Sequence, residues 1–160
     1  MNFEKSSSTP HHFLSQLAGN WTGISKLWLE PGKLAGESPI VGTIQLLLDG
    51  RFALYLYQSV IEGEPQHGMF TFGFNTTLER YEASWVDTFH NNTAIMFCVG
   101  AASQDGFSVI GQYPDPSGGP DWSWRTEVAL SGDELVITAY SISPEGEEAR
   151  AVETRLRRSK

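Results

Sequence analysis

A carboxylate and an imidazole stand three positions apart at the end of one extended segment, as Asp87 and His90. In a β-strand every second side chain lies on the same face, so Asp87 shares a face with Trp85. An apolar neighbour disfavours the charged carboxylate and raises its pKa, which would suit a general base. Asp87 and His90 are therefore candidates for a catalytic pair. The alternative interpretation is that Asp87 caps the turn that follows it and that His90 is exposed to solvent.

Aromatic residues recur at alternate positions around this carboxylate and predict an aromatic wall on one face of a sheet. In a small barrel, large side chains of this kind either fill the interior or surround a ligand cavity. Both uses remain open from the residues alone. A cavity would hold a small, largely apolar molecule, one polar group of which Asp87 would orient. The candidate ligand-binding residues share the inward-facing positions: Phe70, Phe72, Tyr81, Trp85, Asp87, Trp122 and Trp124.

The remaining residues that could do chemistry carry no recognisable motif. The histidines His11, His12, His67 and His90 have no metal-ligand spacing within one strand or helix, so we expect no metal site. Cys98 lies in an apolar strand, which predicts a buried and unreactive thiol. Neither a serine-containing glycine elbow nor a phosphate loop is present. We expect no cofactor, and an enzyme remains an alternative rather than the main interpretation.

The composition is that of one folded domain with an acidic surface. The chain has 160 residues, of which 40% are hydrophobic, so it can bury a core. We expect a single β-barrel domain over residues 10–160, preceded by a mobile tail at residues 1–9. The net charge of -8 disfavours nucleic acid and anionic membranes as partners, because both attract cationic proteins. No apolar run is long enough to span a bilayer, and the cytoplasm is the expected location.

Turn residues divide almost the whole chain into strands. Pro10 begins a short helix over residues 10–17, and Gly19 ends it. Tight turns such as Asp49-Gly50 then separate successive strands. This pattern predicts an all-β fold, a closed antiparallel up-and-down barrel of about ten strands in which the first strand pairs with the last. The predicted strands cover residues 20–30, 38–48, 51–62, 66–74, 79–87, 93–102, 106–113, 122–131, 134–142 and 147–158.

A turn at residues 75–78 sets the predicted register between two of these strands. It places Phe72 opposite Tyr81 and Gly68 opposite Trp85, so that the glycine makes room for the indole.

The connections between strands alternate in length, and this alternation predicts the mouth of the barrel. Successive turns of a meander fall at opposite ends. The longer connections, which include residues 31–37, 88–92 and 114–121, fall at one end, where we expect an opening. The helix and the short turns would seal the other end.

Gly19-Asn20-Trp21, directly after the short helix and at the start of the first strand, resembles the Gly-x-Trp of the lipocalin and fatty-acid-binding (calycin) superfamily. The resemblance implies a calycin-like barrel in which an arginine near the final strand packs across the indole. Arg155 or Arg157 would take that structural role here.

Most of residues 14–158 is similar to the bacterial domain-of-unknown-function family 1579. The most specific part is YEASWVD at residues 81–87, whereas GFN at residues 73–75 departs from the Gly-Tyr-Asp usual in that family. This similarity implies a calycin-like barrel and no known activity. Nitrobindins share the general shape and bind haem through a histidine near the end of the chain. No histidine follows His90, so haem bound in that way is not expected.

Two predicted strands, residues 38–48 and 51–62, are apolar on both faces. A barrel can hide only one face of each strand, and an exposed apolar patch of this size is unusual for a monomer. The sequence therefore predicts a homodimer centred on these strands, with Tyr55 or Tyr57 among its contacts. A dimeric interaction module with a filled barrel is thus a third functional interpretation, beside a ligand-binding protein and an enzyme.

Overall fold

The computed structural model describes residues 9–159, so the tail predicted at residues 1–9 lies outside the described residues except for Thr9. No helix in this part of the chain has the length and apolarity needed to cross a membrane. One short helix precedes ten strands, as the turn pattern predicts. The elements are α1 Pro10–Gln16, β1 Gly19–Glu30, β2 Lys33–Leu47, β3 Phe52–Ile61, β4 Glu64–Asn75, β5 Arg80–Asp87, β6 Met96–Ser103, β7 Gly106–Tyr113, β8 Trp122–Ser131, β9 Glu134–Ile142 and β10 Glu148–Arg158.

The ten strands form a closed antiparallel barrel in which β1 pairs with both β2 and β10. Closure gives each of the ten strands a hydrogen-bonded neighbour on both sides. The predicted all-β, up-and-down barrel is confirmed. The largest difference from the predicted bounds is at β2, which begins at Lys33 because β1 and β2 continue as one hairpin up to the pair Glu30–Lys33.

Helix α1 seals one end of the barrel. It begins after Thr9, whose hydroxyl accepts a hydrogen bond from the backbone N–H of His12 at 3.2 Å. Leu14 and Leu17 are fully buried against the strands. The indole Nε1 of Trp21 donates a hydrogen bond to the carbonyl oxygen of Leu17 at 2.9 Å, which ties the end of the helix to β1.

An arginine of the last strand covers the indole of Trp21, as the resemblance implies, but this residue is Arg158. Its guanidinium carbon lies 4.4 Å from the centroid of the Trp21 ring, and the two residues are partners in the β1–β10 ladder. The predicted choice of Arg155 or Arg157 is wrong. Strand alternation puts both on the outer face, where each forms an ion pair with Glu134.

The register between β4 and β5 differs by two residues from the predicted one. Phe70, not Gly68, lies opposite Trp85, and Gly68 lies opposite Asp87. The turn starts later because Asn75 ends β4, and its side-chain oxygen accepts two backbone N–H hydrogen bonds within the turn, each 3.0 Å long. A shift of two residues keeps every side chain on its face. The aromatic residues therefore lie on the predicted face, although the cross-strand pairs that they form differ from the predicted pairs.

The outer face of β2 to β6 carries a group of neighbouring apolar side chains, which we term the apolar row. Leu56, Met69 and Val86 lie side by side across three strands. Val41 and Phe97 flank them and are 51% and 57% exposed. None of these five residues is charged.

Tyr55 and Tyr57 lie on the inner face of β3, opposite to the apolar row. Tyr55 is buried, and both rings pack against each other with centroids 4.9 Å apart. The prediction that these tyrosines take part in contacts between two copies is therefore wrong, because neither ring reaches the outer surface of the barrel.

Replacing Arg158 by alanine should destabilise the barrel. Besides covering Trp21, its guanidinium donates hydrogen bonds to the carbonyl oxygens of Ala18 at 2.7 Å and Gln16 at 2.5 Å. We expect Arg158→Ala to lower the free energy of unfolding by about 2 kcal/mol, through loss of the cation–π contact and of these bonds. Urea unfolding curves measure this change.

Arg157→Ala provides the matched control on the same strand. Its side chain is exposed and pairs with Glu134 at the surface, so we expect a loss below about 1 kcal/mol. Equal losses for the two variants would show that Arg158 does not hold the sealed end.

Candidate functional site

A cavity of about 310 Å³ occupies the end of the barrel opposite α1. It is bordered by the turn after β3 and by the loop between β5 and β6, at the end where the longer connections predict the mouth. The apolar side chains of Ile40, Ile137 and Ala139 form part of its surface. Residues 114–121, a long connection at the same end, do not line it.

Phe70, Trp85 and Trp124 form an aromatic wall in this cavity. The rings of Phe70 and Trp85 are 3° from parallel with centroids 5.4 Å apart, and those of Trp85 and Trp124 are 5.3 Å apart. Stacked rings bury apolar area and hold one another in one orientation. These three predicted ligand-binding residues are thus brought together at one site.

Two glycines on the inner face give the tyrosines of β3 their room. A Cβ atom at Gly68 would lie 2.0 Å from the ring of Tyr57, and one at Gly42 would lie 2.6 Å from the ring of Tyr55. The space that the sequence assigned to an indole at Gly68 is therefore filled by Tyr57. The Tyr57 hydroxyl accepts a hydrogen bond from Nε1 of Trp85 at 3.0 Å. Burial raises the pKa of Tyr57, so its hydroxyl stays protonated.

Phe72 and Tyr81, also predicted to bind ligand, lie in the filled half of the barrel and not at the cavity. Tyr81 stacks on Phe107 with centroids 4.4 Å apart, and Phe72 meets the same ring at 5.3 Å. Trp122 packs against Tyr113 at the start of β8 and does not line the cavity either. The two alternatives, a filled core and a cavity, are thus both realised, one in each half.

The Asp87 carboxylate holds the loop between β5 and β6. It accepts hydrogen bonds from the backbone N–H groups of His90 at 2.8 Å and Asn91 at 2.6 Å. Burial would raise the pKa of Asp87, but the hydrogen bonds from His90 and Asn91 outweigh burial and hold this pKa below its usual value of 3.8. The predicted rise in pKa is therefore wrong. An ionised, fully engaged carboxylate is a weak general base.

His90 lies between this carboxylate and the indoles of the wall. Its Nδ1 is 3.1 Å from Oδ2 of Asp87, and its ring centroid is 5.6 Å from that of Trp85 and 5.0 Å from that of Trp124. Because an ionised carboxylate can only accept, Nδ1 carries the proton when the ring is neutral. The predicted pair is therefore in contact at the cavity. Asp87 orients the His90 ring, whose Nε2 is the nitrogen on the side away from this carboxylate.

Two polar side-chain atoms on β8 have no hydrogen-bond partner among residues 9–159, and neither has surface that is accessible from the cavity. They are Nε1 of Trp124 and Oγ1 of Thr126, whose residues are 6% and 1% exposed. Both residues point inward from β8, and both line the cavity. Thr126 is a cavity-lining residue that the sequence pattern does not distinguish, because a threonine in an apolar strand resembles an ordinary β-former.

Tyr55 and Tyr57 are cavity residues that the strand pattern missed. Since β3 is apolar on both faces, alternation within it does not distinguish the inside from the outside. The adjacent β3–β4 hairpin is what indicates the inner face of β3. Its two-residue turn Glu62-Gly63 places Tyr55 opposite Phe70, whose inward direction the aromatic pattern already predicts.

No group of three or more His, Cys, Asp or Glu side chains within residues 9–159 is arranged to hold a metal ion. Cys98 is buried, and burial raises the pKa of its thiol to about 11. The thiol therefore stays protonated at neutral pH and is a poor nucleophile.

These features define a closed antiparallel barrel with one sealed end and one aromatic cavity, consistent with a calycin-like fold. The chain belongs to the family described as "Protein of unknown function (DUF1579)", which matches residues 6–158; the family similarity seen in the sequence is confirmed. The crystal structure of Rv2717c from M. tuberculosis is similar, with a TM-score of 0.63 and 14% sequence identity over 100% of this chain and 99% of that chain. At this identity the likeness concerns the fold. No curated protein matches the chain.

Replacing Asp87 by alanine should destabilise the protein at neutral pH, because two backbone N–H groups lose their acceptor. We expect a loss of about 2 kcal/mol in the free energy of unfolding. The pKa of Asp87 is lower in the folded than in the unfolded chain, so the carboxylate stabilises the fold above its unfolded pKa. This contribution is lost as the pH falls through the folded pKa, and the difference between the two proteins should shrink below about pH 4.

Asp49→Asn is the control for this experiment, since the Asp49 side chain is 99% exposed. It should change the unfolding free energy by less than about 0.5 kcal/mol. Urea titrations between pH 7 and pH 3 measure both variants. If Asp87→Ala is as stable as this control, Asp87 does not anchor the loop. If the loss of unfolding free energy in Asp87→Ala stays the same down to pH 3, the ionised carboxylate is not what stabilises the fold.

Proposed function

We propose that this protein binds a small, largely apolar ligand in the cavity of its barrel. The observation that carries this proposal is the cavity of about 310 Å³ beside the stacked rings of Phe70, Trp85 and Trp124. Protein cores are close-packed and contain few voids larger than a water molecule. A cavity of this volume lies instead at the lower end of the range for ligand pockets.

The wall of the cavity is organised in advance of any ligand. Trp85 is held between Phe70 on one side and Trp124 on the other, and its indole N–H is bonded to Tyr57. Such side chains lose little conformational freedom when a ligand binds, which favours affinity. The loop at the mouth is likewise anchored through Asp87.

A neutral fluorescent probe, N-phenyl-1-naphthylamine, should bind with one site per chain and a dissociation constant on the order of micromolar. Ala139→Leu adds bulk to the cavity surface and should weaken binding by about tenfold or more, because the probe loses the space that it occupies. Fluorescence titration measures both values.

Ala101→Leu adds the same side chain at an exposed position on β6 and should leave probe affinity unchanged. Thermal unfolding establishes that both variants are folded. Absence of saturable binding to the wild type, or equal binding to the two leucine variants, would argue against a ligand in the barrel.

A second proposal concerns association, and it is favoured by the apolar row on the outer face. Leu56, Met69 and Val86 are neighbours across three strands, and Leu56, Val41 and Phe97 are 42%, 51% and 57% exposed. Exposed apolar side chains that are grouped in this way mark interaction surfaces. A stable interface buries roughly 800 Å² on each partner with an apolar centre. In a chain with a net charge of -8, a neutral patch can meet its own copy without repulsion at the contact. We propose a homodimer through this row.

Leu56→Glu should convert the dimer into a monomer, because two copies would each bury an unpaired carboxylate at the contact. Leu34→Glu is the control, as Leu34 is exposed near the tip of the β1–β2 hairpin and outside the row. Light scattering at micromolar concentration measures the mass. A wild-type mass near 17.7 kDa would overturn the homodimer.

A further inference from the structure

One ring nitrogen of His90 is held by the protein, and the other is left for the cavity. Nδ1 lies 3.1 Å from Oδ2 of Asp87 and carries the proton of the neutral ring, because this carboxylate can only accept a hydrogen bond. Nε2 is then the acceptor nitrogen. It has no hydrogen-bond partner among residues 9–159, and it is not one of the polar atoms that are completely buried. Because His90 lines the cavity, Nε2 is a proton acceptor that a bound molecule can reach.

Tyr55 supplies a hydrogen-bond donor to the same cavity. The residue is 2% exposed and lines the cavity. Its hydroxyl has no partner among residues 9–159, yet it is absent from the completely buried atoms that lack one. The small exposed part of this side chain therefore includes the hydroxyl. Burial raises the pKa of Tyr55, so the hydroxyl stays protonated and can donate.

The charges around the cavity favour an uncharged ligand. The carboxylates of Asp87, Glu37 and Glu62 line it, whereas no lysine or arginine does so in the part of the chain that the structure describes. A carboxylate ligand would leave water without such a cation to compensate it, which is unfavourable.

We propose that this barrel catalyses proton transfer at the carbon next to the carbonyl group of a small, uncharged ketone. His90 is the general base, Tyr55 is the hydrogen-bond donor to the carbonyl oxygen, and Asp87 is a positioning residue. This activity rests on the proposed ligand-binding function, because the ketone occupies the same cavity, and it adds a reaction to it.

The reaction needs only these side chains and the ketone. Nε2 of His90 takes the proton, the electron pair of the broken C–H bond forms a carbon–carbon double bond, and the carbonyl π pair moves to oxygen. The negative oxygen accepts a hydrogen bond from Tyr55, and the Asp87 carboxylate stabilises the imidazolium. Return of the proton to the same carbon restores the ketone. Its return to the far end of a conjugated system moves a double bond. No other reactant is consumed in either case.

Hydrogen–deuterium exchange of 2-tetralone tests the activity. This bicyclic ketone is smaller than N-phenyl-1-naphthylamine and carries protons next to its carbonyl group. Proton NMR in buffered deuterium oxide follows the loss of these protons, and the rate in buffer alone is subtracted. We expect the wild type to accelerate the exchange. N-phenyl-1-naphthylamine should suppress this acceleration, because both molecules occupy the cavity.

His90→Gln removes the base but keeps the backbone N–H that bonds to Asp87. We expect the protein-dependent exchange rate to fall about a hundredfold. Affinity for N-phenyl-1-naphthylamine should stay within about threefold, so that the loss reports chemistry and not binding. The control is His12→Gln, at an exposed position of α1 at the sealed end, and it should exchange as fast as the wild type.

Tyr55→Phe removes the donor and keeps the ring. The exchange rate should fall about tenfold or more, because the negative charge on the carbonyl oxygen loses a hydrogen bond in the cavity. Tyr140→Phe makes the same chemical change at a position that does not line the cavity and should leave the rate unchanged.

Asp87→Asn tests the positioning role. The amide N–H of asparagine can donate to Nδ1 of His90, so the proton of the neutral ring moves to Nε2 and the basic lone pair is lost from the cavity side. Proton–nitrogen NMR correlation spectra report which ring nitrogen is protonated, and His90→Gln assigns the signal. We expect Nδ1 in the wild type and Nε2 in Asp87→Asn, with an exchange rate as low as that of His90→Gln. An unchanged tautomer and rate would show that Asp87 does not position this ring.

The outcomes separate this activity from the binding function on which it rests. If the wild type binds N-phenyl-1-naphthylamine but does not accelerate exchange, the activity is overturned and the ligand-binding barrel stands. Exchange that persists in His90→Gln, or that N-phenyl-1-naphthylamine does not suppress, overturns the assignment of the base. If the wild type neither binds the probe nor accelerates exchange, both proposals are overturned. Thermal unfolding checks that each variant folds, and suppression by the probe tests the site in the wild type alone.

Discussion

The pairing of β1 with β10 is the constraint on which the rest of the molecule depends. Once the sheet closes, each strand has an inner and an outer face, and alternation decides which side chains meet. Closure also brings Arg158 onto Trp21 and into contact with the carbonyl groups at the end of α1. The sealed end is therefore built jointly by the first and last elements of the barrel. The cavity at the other end follows from the same closure, because the inner side chains there do not fill the interior.

The chemistry of the cavity depends on how its polar groups are partnered. The carboxylate of Asp87 satisfies backbone groups of the adjoining loop and positions His90, so it is an internal support of the mouth. The indole of Trp85 is satisfied by Tyr57. In contrast, the buried N–H of Trp124 has no partner within residues 9–159. The hydrogen bonds of Asp87 and Trp85 are therefore structural, because they hold the loop and the aromatic wall in place.

Much of the fold could be predicted from the sequence because turn residues and strand alternation act locally. The inward direction of Phe70 and Trp85 follows from a period of two, and it survives the two-residue error in register. Properties that depend on distant neighbours could not be predicted in this way. The lowered pKa of Asp87 arises from loop N–H groups whose position only the folded chain shows. The choice of Arg158 depends on the register of closure, and the inward direction of Tyr55 depends on its hairpin partner.

The division of the barrel into a filled half and a hollow half has a consequence for how such a protein changes over evolution. Leu14, Leu17 and Phe107 are fully buried at the sealed end and contribute hydrophobic free energy that a substitution at the mouth leaves intact. For the ligand-binding function proposed above, changes among the lining residues of the hollow half would alter selectivity while the fold remains stable. The same separation makes this barrel a suitable starting point for redesigning a binding pocket.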